Sequence, residues 1–595
     1  MRLKLPLIIT LIVAVAGCSP ESYRRSADLQ VSDLLRDRTQ RTLSYSPQTA
    51  VPTDPAPRPS PRAYERIPLS PIPPPSPEPI RREKVQLPLV PLGPEAPDSL
   101  PPTAEGGVSD SAAYRAMIWA PLGPPVPSEL TPRFDLFACI EYAVQHSRSY
   151  QDQMENLYLS ALDVTLERHL FSARPFARTD VNFSGGQAAV DYRAALNVSN
   201  SAGVRQRLPW GGEVVAQGLV DFVRAISDNA VDGESASVTL SGSLPLLRGA
   251  GMVNLESLIR SERQLIYDVR AFEDFRRSFA VDIASRYFAL LASQQGLVNR
   301  RLNLLNLASI TERTQALYDA GRLSFLEVQR ALQERLSAES DLINAEEAYQ
   351  SALDNFKLVL GMPVTERMDV APIALDVTVP SVTVDEAIEL AYRYRLDLKT
   401  AEDRVEDARR SVANARNSLL PSLDLRASSR LTNEAGEDFT QLEGDTLTYS
   451  AGVSLDLPID RVSERNSYRR ALISYERSRR NLEAQRDRVI ASVRDALRSL
   501  RAAQTSVQIE RRSIELANRR LDLANERLRQ GGLSSRDLVE AQNSLLAAQD
   551  RYERARAQLQ IRILEFMRDT GTLRLDPAAG ALGRAMDRQS LGDRS

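Results

Sequence analysis

The chain has 595 residues, and its 75 Lys and Arg nearly balance its 78 Asp and Glu, which leaves a formal net charge of −3. This balance argues against a nucleic-acid-binding protein held by bulk positive charge. With two Cys and two His in total, a Cys/His metal cluster, a disulfide framework and a Cys/His nucleophilic site are close to excluded. We therefore predict a protein that is not an enzyme and that carries no cofactor and no metal.

The N-terminus has the pattern of an export signal. A short positive region with Arg2 and Lys4 precedes an apolar run over 5–16, which is too short to span a bilayer of about 30 Å. The run ends in Val-Ala-Gly-Cys at 15–18, which resembles the lipoprotein box of bacteria. The resemblance implies that residues 1–17 are removed, that Cys18 is lipidated with acyl chains such as palmitate, and that Ser19 sends the lipoprotein to the outer membrane. The alternative is an ordinary secretory signal in which Cys18 is incidental.

The prolines divide the rest of the chain into two parts. Of 35 prolines, 25 lie between Pro20 and Pro132, and nine lie beyond them. Runs such as 57–61 and 71–75 cannot continue a helix or a central strand, and they favour an extended conformation of about 3.1 Å per residue. We predict that residues 18–130 form a Pro-rich disordered tether; a PxxP recognition segment is the alternative.

Beyond the tether the sequence is duplicated. The matching segments are 139–143 with 387–391, 244–245 with 457–458, 320–324 with 530–534, and 360–362 with 569–571. Each copy has a helical pattern that stops near a proline, then alternating segments, and then a long stretch without proline. We predict a first repeat over 131–370, a second repeat over 371–575 and a polar C-terminal tail over 576–595.

The long proline-free stretches predict helices of unusual length. Residues 252–318 would span on the order of 100 Å as a helix, and 460–529 would span about the same. Apolar residues recur at near-heptad spacing in both stretches, while Arg and Glu occupy the other faces. This pattern is typical of coiled coils.

Short segments between the helices alternate apolar and polar residues. In 449–457 the apolar positions are Tyr449, Ala451, Val453, Leu455 and Leu457. A membrane barrel strand facing lipid on one side requires this pattern, and a half-buried strand of a soluble sheet gives it too. We predict two strands in each repeat, hence about four per chain, which is too few to close a barrel of at least about eight strands. Residues 175–245 are longer than their counterparts 421–458, so the first repeat holds either a longer hairpin or an additional strand pair.

In order and spacing, four segments resemble the TolC-like outer-membrane efflux proteins, also called outer membrane factors. They are Leu-Pro-Leu-Leu-Arg-Gly-Ala-Gly at 244–251, Tyr-Asp-Ala-Gly-Arg-Leu-Ser at 318–324, Thr-Val-Asp-Glu-Ala-Ile-Glu-Leu-Ala at 383–391, and Leu-Pro-Ser-Leu at 420–423. The resemblance implies a mainly α fold with membrane β: a duplicated helix–strand–strand–long helix unit that forms a trimeric β-barrel and a long α-helical coiled-coil tunnel. Three chains of four strands would give twelve.

The same resemblance implies a function. The protein would be the outer-membrane channel of a tripartite efflux or type I secretion system, passing small toxic compounds or secreted peptides to the exterior through a gated tunnel. Its partners would be two further copies of the chain, a periplasmic adaptor (membrane fusion) protein, an inner-membrane pump and outer-membrane lipid, with no nucleic acid. It would be lipid-anchored in the bacterial outer membrane, with the tunnel in the periplasm.

The resemblance also implies two kinds of site at the helix turns. The turns would be adaptor-contacting tips, formed by Gly321, Arg322, Leu323, Ser324 and by Gly531, Gly532, Leu533, Ser534. Asp537 and Glu540 lie three residues apart on one helix face, where a trimer would turn them into two acidic rings at the periplasmic aperture. The alternative is that Asp537 only begins the returning helix. At the matching positions of the first repeat, Glu327 and Arg330 have opposite charges, which suits a structural pair better than a gate.

One alternative of a different class stays open: a lipid-anchored periplasmic coiled-coil scaffold or adaptor without a pore. An adaptor would carry one helical hairpin between β-rich domains rather than two copies of a strand-flanked unit. An enzyme is more remote, because His146 and His169 lie in helical patterns with no accompanying nucleophile. The sequence identifies neither the substrate nor the class of pump.

Overall fold

The computed structural model describes residues 20–43, 133–185, 194–225, 233–371, 380, 382–433, 444–529 and 535–575. The predicted lipidation residue Cys18, the second turn at 531–534 and the tail at 576–595 lie outside these ranges. The chain divides into two compact units, one of 1–53, 135–362 and 372–595, and the other of 54–134 and 363–371. In the second unit, strand β1 (Arg133–Phe134) pairs in parallel with β6 (Asp369–Val370).

The helices of the first unit come in equivalent sets. A helix outside the two sets, α1, covers Pro20–Leu43. The first repeat contributes α2 (Leu136–His146), α3 (Arg148–Leu170), α4 (Glu256–Asp319) and α5 (Phe325–Leu360). The second contributes α6 (Val384–Tyr394), α7 (Leu396–Asn417), α8 (Val462–Arg529) and α9 (Ser535–Asp569). Corresponding helices have nearly the same length, with 64 residues in α4 and 68 in α8, which agrees with the predicted duplication.

Local sequence explains where the short helices begin. The Thr383 side chain accepts a hydrogen bond from the backbone N–H of Glu386, and the Glu386 carboxylate accepts one from the N–H of Thr383. This capping box satisfies two N–H groups that the first turn leaves without a helical partner. In the first repeat, α2 has a simple cap instead of a capping box: the Asp135 carboxylate accepts a 2.8 Å hydrogen bond from the N–H of Ala138.

The strands of the first unit form one antiparallel sheet in the order β2-β3-β4-β5-β7-β8. The strands are β2 (Arg174–Gly185), β3 (Ala194–Arg207), β4 (Glu213–Ala225), β5 (Gly233–Pro245), β7 (Ser422–Thr432) and β8 (Thr448–Asp456). The prediction of two strands in each repeat is wrong for the first repeat, which contributes four. Of the two alternatives for 175–245, the additional strand pair is correct, since Leu208–Gly212 turns the chain from β3 into β4.

The register sorts the side chains of the sheet onto two faces. Leu425 lies opposite Leu244 on one side and Val453 on the other, so these three side chains share a face. Other apolar residues lie on the same face, and they are exposed: Val181, Phe183, Val204, Val238, Leu240, Tyr449 and Leu455. The opposite face holds most of the polar side chains, with an ion pair between Arg205 and Glu213 and a hydrogen bond from Arg430 to the Ser237 hydroxyl.

Helix α1 corrects the prediction for the segment 18–130. Residues 20–43 were expected to belong to an extended tether, but they form a helix of 24 residues. Pro20 is its first residue, where a proline costs no hydrogen bond, and the next proline is Pro47. Val31, Leu34 and Leu35 are buried where α1 contacts α3 and α4. Since no proline lies between Pro20 and Pro47, and Val31, Leu34 and Leu35 have the i, i+3, i+4 spacing of a helix face, this part of the segment resembles the body of the protein rather than the proline-rich part.

Two glycines allow helix ends to approach the backbone of other helices closely. Gly361 ends α5 with φ of +80°, and a Cβ on it would lie 2.1 Å from the carbonyl oxygen of His146. Gly571 follows α9 with φ of +72°, and its Cβ would lie 2.8 Å from the carbonyl carbon of Tyr394. His146 and Tyr394 end the equivalent helices α2 and α6, so the same contact occurs in both repeats.

Buried charges surround the end of α9. The Glu273 carboxylate is fully buried and pairs with Arg276 at 2.9 Å and Arg277 at 3.1 Å. Arg277 also donates to the carbonyl of Gly571, and Arg395 donates to that of Asp569. Cationic side chains thus satisfy carbonyls that the end of a helix leaves free.

Two carboxyl groups near this end have altered acidity. Burial raises the pKa of Asp274 from 3.8 to about 6; the nearby positive charge of Arg277 opposes the rise, and the carboxylates of Asp397 and Glu273 add to it. Burial would also raise the pKa of Asp397, but hydrogen bonds from Arg395 together with its charge lower that pKa overall.

No described helix combines the length and the apolar composition needed to cross a lipid bilayer.

Candidate functional site

The first predicted tip is a tight turn between the two long helices α4 and α5. Gly321 has φ of +70°, and its N–H donates to the Tyr318 carbonyl at 2.7 Å. The N–H of Arg322 donates to the Leu317 carbonyl at 2.9 Å, which completes the hydrogen-bond pattern of a helix ended by a left-handed glycine. Gly321 thus ends α4 in a conformation that lets the chain reverse into α5. The equivalent residues 531–534 lie outside the described residues.

The surface of this tip includes apolar side chains that the sequence analysis did not single out. Phe325 and Leu326 start the returning helix, and each is 58% exposed. The ring of Phe325 also contacts Tyr318, with centroids 5.8 Å apart. Gly321, Arg322 and Ser324 are exposed too, and Leu323 is half-buried. The sequence signal for this surface was the pair of large apolar residues shortly after the helix-reversing glycine. Their exposed side chains give the tip an apolar contact surface.

The predicted acidic pair lies on one exposed face of α9. Asp537 and Glu540 are both exposed, and their spacing of three residues places them on the same face of the helix. The Glu540 carboxylate accepts a 2.7 Å hydrogen bond from Arg520 on α8, so it also links the two helices of its hairpin. Arg520 was missed because it precedes Glu540 by 20 residues and meets it only after the chain reverses.

Glu540 also lines a groove between the returning helices α5 and α9. The groove has a volume of about 630 Å³ and carries charged side chains from both repeats. They are Arg330 and Glu334 from α5, and Arg536 and Glu540 from α9. Asn543 extends from α9 towards the Glu334 carboxylate at 3.5 Å. Near the turns, the two repeats thus meet through charged and polar groups.

The equivalent positions in the first repeat form the expected ion pair. Arg330 lies 3.3 Å from the Glu327 carboxylate, one turn apart on α5. Intrahelical pairing at these positions agrees with the prediction of a structural role. The two repeats therefore differ in charge at matching sites, because only the second places two acids there.

Exposed apolar stripes run along the long helices. On α8, Ile509, Leu516 and Leu523 are more than half exposed and recur every seven residues. On α4, Val298, Leu302 and Leu305 are exposed as well. Leu545 and Ala548 of α9 pack against the other side of α8. A heptad stripe that stays more than half exposed among the described residues of its own chain is the pattern of a helix that meets a further helix.

The fold is that of outer-membrane channels. The outer-membrane channel OprN matches 73% of this chain and 89% of its own length, with a TM-score of 0.56 at 18% identity. VceC of Vibrio cholerae matches 73% of this chain and 96% of its own, with a TM-score of 0.56 at 17% identity. The CmeC outer membrane channel of Campylobacter jejuni matches 77% and 88%, with a TM-score of 0.57 at 14% identity.

A family model matches part of the sequence. The model of the outer membrane efflux protein family matches residues 387–572, which is most of the second repeat. The resemblance found in the sequence motifs is confirmed. The family consists of transport channels rather than enzymes, which agrees with the prediction of a non-enzymatic protein. Among curated proteins, none has a significantly similar sequence.

Proposed function

We propose that this protein is a homotrimeric outer-membrane channel that passes solutes from a periplasmic adaptor and an inner-membrane pump to the exterior. The observation that carries the proposal is the six-stranded sheet with an exposed and mainly apolar face, attached to four long helices, in a chain whose second repeat matches the outer membrane efflux protein family. A protein surface of this kind is stable against lipid and costly in water.

The sheet edges support the trimer. Among the described strands, β2 pairs only with β3, and β8 pairs only with β7. An unpaired edge in a membrane leaves N–H and C=O groups without partners, so a single six-stranded sheet cannot stay open there. Three copies supply 18 strands, three times six, and join β2 of one copy to β8 of the next. Strands of 9 to 14 residues are long enough to cross the hydrocarbon layer.

The helices support the tunnel and the partners. The exposed heptad stripe of α8 needs a neighbour, and a second copy supplies one. The first tip, with Phe325 and Leu326 exposed four and five residues after Gly321, offers an apolar surface to an adaptor at the end distant from the sheet. Small toxic compounds or secreted peptides are the proposed cargo. The scaffold alternative explains the helices, but it gives no use for an exposed apolar sheet face.

Asp537 and Glu540 are the proposed gate. In a trimer, six carboxylates would form two rings that favour cations and repel anions. The groove residues Arg330 and Arg536 lie close enough to shape the field at this level. Cys18 is the proposed lipid anchor, and residues 44–130 are the proposed tether between helix α1 and the first repeat.

Conductance in planar bilayers tests the proposal. We expect discrete low-conductance openings from the purified protein, and larger ones after Asp537→Ala with Glu540→Ala. The matched control is Glu476→Ala with Arg479→Ala, an exposed pair one turn apart on α8 and outside this groove, which should leave the conductance near that of the parent protein. Failure to conduct even with both acids removed would show that the channel assignment is wrong.

The mass of the particle in detergent is an independent measurement. We expect about three protomers after the mass of bound detergent is subtracted. A monomer would exclude the shared barrel, because one chain cannot pair both of its sheet edges.

A further inference from the structure

Helix α1 has a fixed direction along the body of the protein. The Tyr158 hydroxyl of α3 donates a 2.5 Å hydrogen bond to the carboxylate of Asp28. Ten residues further along α1, Arg38 pairs with Glu262 of α4, and Glu262 pairs in turn with Arg168 of α3. Asp28 thus lies level with Tyr158, and Arg38 lies level with Arg168. The two intervals are equal, so α1 runs parallel to α3.

Helix α3 ends at the sheet, and this fixes which end of α1 is near it. Leu170 is the last residue of α3, and β2 begins at Arg174. Because α1 is parallel to α3, its C-terminal end at Leu43 is the end beside the sheet. Its first residue, Pro20, is 18 residues before Arg38, or about 27 Å away along the axis.

The direction of α1 constrains the predicted lipidation residue. Cys18 precedes Pro20 by two residues, which span at most about 7 Å of chain. With α1 docked, Cys18 therefore stays about 20 Å or more from the level of Arg38, on the side away from the sheet. Acyl chains on Cys18 must lie in the hydrocarbon layer, which in the proposed function surrounds the sheet.

We infer that the docked position of α1 and the insertion of an acylated Cys18 into the outer membrane exclude each other, so that lipidation releases α1 from the groove between α3 and α4. This inference rests on the proposed position of the sheet in the membrane. In the acylated chain, residues 20–43 leave the groove and Val31, Leu34 and Leu35 lose their contacts. In a chain without acyl groups, the same helix remains in the groove and the N-terminus stays in the periplasm.

The buried surface of α1 is consistent with a docked state that can be released. Val31 and Leu35 are almost fully buried, whereas the polar contacts at Asp28 and Arg38 are partly open to solvent. Thr39 is buried and satisfies its hydroxyl within the helix, by donating to the Leu35 carbonyl at 2.7 Å. Asp28 and Arg38 lose these partners when α1 separates, but water can then solvate both charges.

Cross-linking of a cysteine pair tests the inference. Arg38→Cys with Glu262→Cys places one thiol on α1 and one on α4, and Cys139→Ser removes the buried native thiol. We expect a short bismaleimide to cross-link this pair in a Cys18→Ser chain exported with a non-lipoprotein signal. In the acylated chain, with acylation verified by intact mass, we expect at least a fivefold lower yield.

A second pair provides the matched control. Ser160→Cys with Asp268→Cys places one thiol on α3 and one on α4, without involving α1. In the native chain the Ser160 hydroxyl lies 2.6 Å from the Asp268 carboxylate. It should cross-link equally in both forms, which shows that both are folded. An equal yield for the α1 pair in both forms, or a native chain that carries no acyl groups, would overturn the inference. Bilayer conductance is a separate measurement, so loss of the channel function would be recognised independently.

Discussion

Arg520 of α8 donates a 2.7 Å hydrogen bond to Glu540 of α9 and thereby places a positive charge beside the proposed acidic ring. Both side chains are more than half exposed, so the pair contributes less than about 1 kcal/mol to stability. The pair matters more for the electrostatic potential at the proposed ring than for stability. The charge of Arg520 compensates one of the two acids, Asp537 and Glu540, that each chain contributes.

Removal of this cation should change ion selectivity rather than folding. We expect Arg520→Ala to increase the preference for K⁺ over Cl⁻, measured as a shift of the reversal potential in a KCl gradient, with an unchanged Tm. Arg498→Ala is the control, since Arg498 forms an exposed pair with Asp495 elsewhere on the same helix. An unchanged reversal potential in Arg520→Ala would mean that Glu540 does not face the permeating ions.

The close contacts of Gly361 and Gly571 predict a graded series of variants. Gly361→Ala should be the most destabilising, because its Cβ would be 2.1 Å from the His146 oxygen, and Gly571→Ala should follow, at 2.8 Å from Tyr394. Gly321→Ala is the control: its φ is also positive, but nothing lies within 4 Å of the new Cβ. It should cost only about 1 kcal/mol for the left-handed backbone. Tm values in detergent check the order, and equal losses at all three positions would contradict it.

The buried ion cluster predicts a large effect from Arg277. Arg277→Met removes one of the two cations that hold the fully buried Glu273 carboxylate, and it frees the Gly571 carbonyl. We expect a loss of about 3 kcal/mol or more, seen as a marked decrease in Tm. Arg479→Met breaks an exposed pair with Glu476 and should leave Tm almost unchanged. Similar Tm values for both variants would contradict this prediction, because the buried pair of Arg277 with Glu273 would then contribute no more to stability than the exposed pair of Arg479 with Glu476.

The raised pKa of Asp274 predicts a pH-dependent stabilisation by Asp274→Asn. An acid whose pKa rises from 3.8 to about 6 on folding disfavours its own ionised form in the native state. The cost is absent below pH 3.8, grows as the pH rises towards 6, and is complete above 6, where it is at most about 3 kcal/mol. Asparagine does not ionise, so Asp274→Asn should raise Tm at pH 8 and have little effect at pH 4.

The same exchange at an exposed site is the control for this prediction. Asp282→Asn affects a half-exposed side chain paired with Arg286 on the surface of α4. It should give no gain in Tm at pH 8. A gain for Asp274→Asn that is equal at both pH values would contradict the assignment, because a packing effect would not depend on pH.

Periodicity and punctuation in the sequence were sufficient for much of the architecture. Proline-free stretches predicted α4 and α8, and glycines marked the ends of α4 and α5. The four strands of the first repeat were not predicted, because the extra length of 175–245 over 421–458 fits a longer hairpin and an additional strand pair equally well. Helix α1 was missed because the surrounding prolines dominated the interpretation of residues 18–130.

Local patterns depend on residues near in the chain, and they determined the duplication, the helix-reversing turn at Gly321 and the shared face of Asp537 and Glu540. Contacts between distant residues were decided only by the tertiary structure, because opposite charges are abundant on every helix and sequence spacing does not select among them. The pairing of Arg520 with Glu540, the convergence of Arg277 and Arg395 on the end of α9, and the direction of α1 all belong to this second group. The last of these depends on two contacts, Asp28 with Tyr158 and Arg38 with Glu262, that join segments more than 100 residues apart.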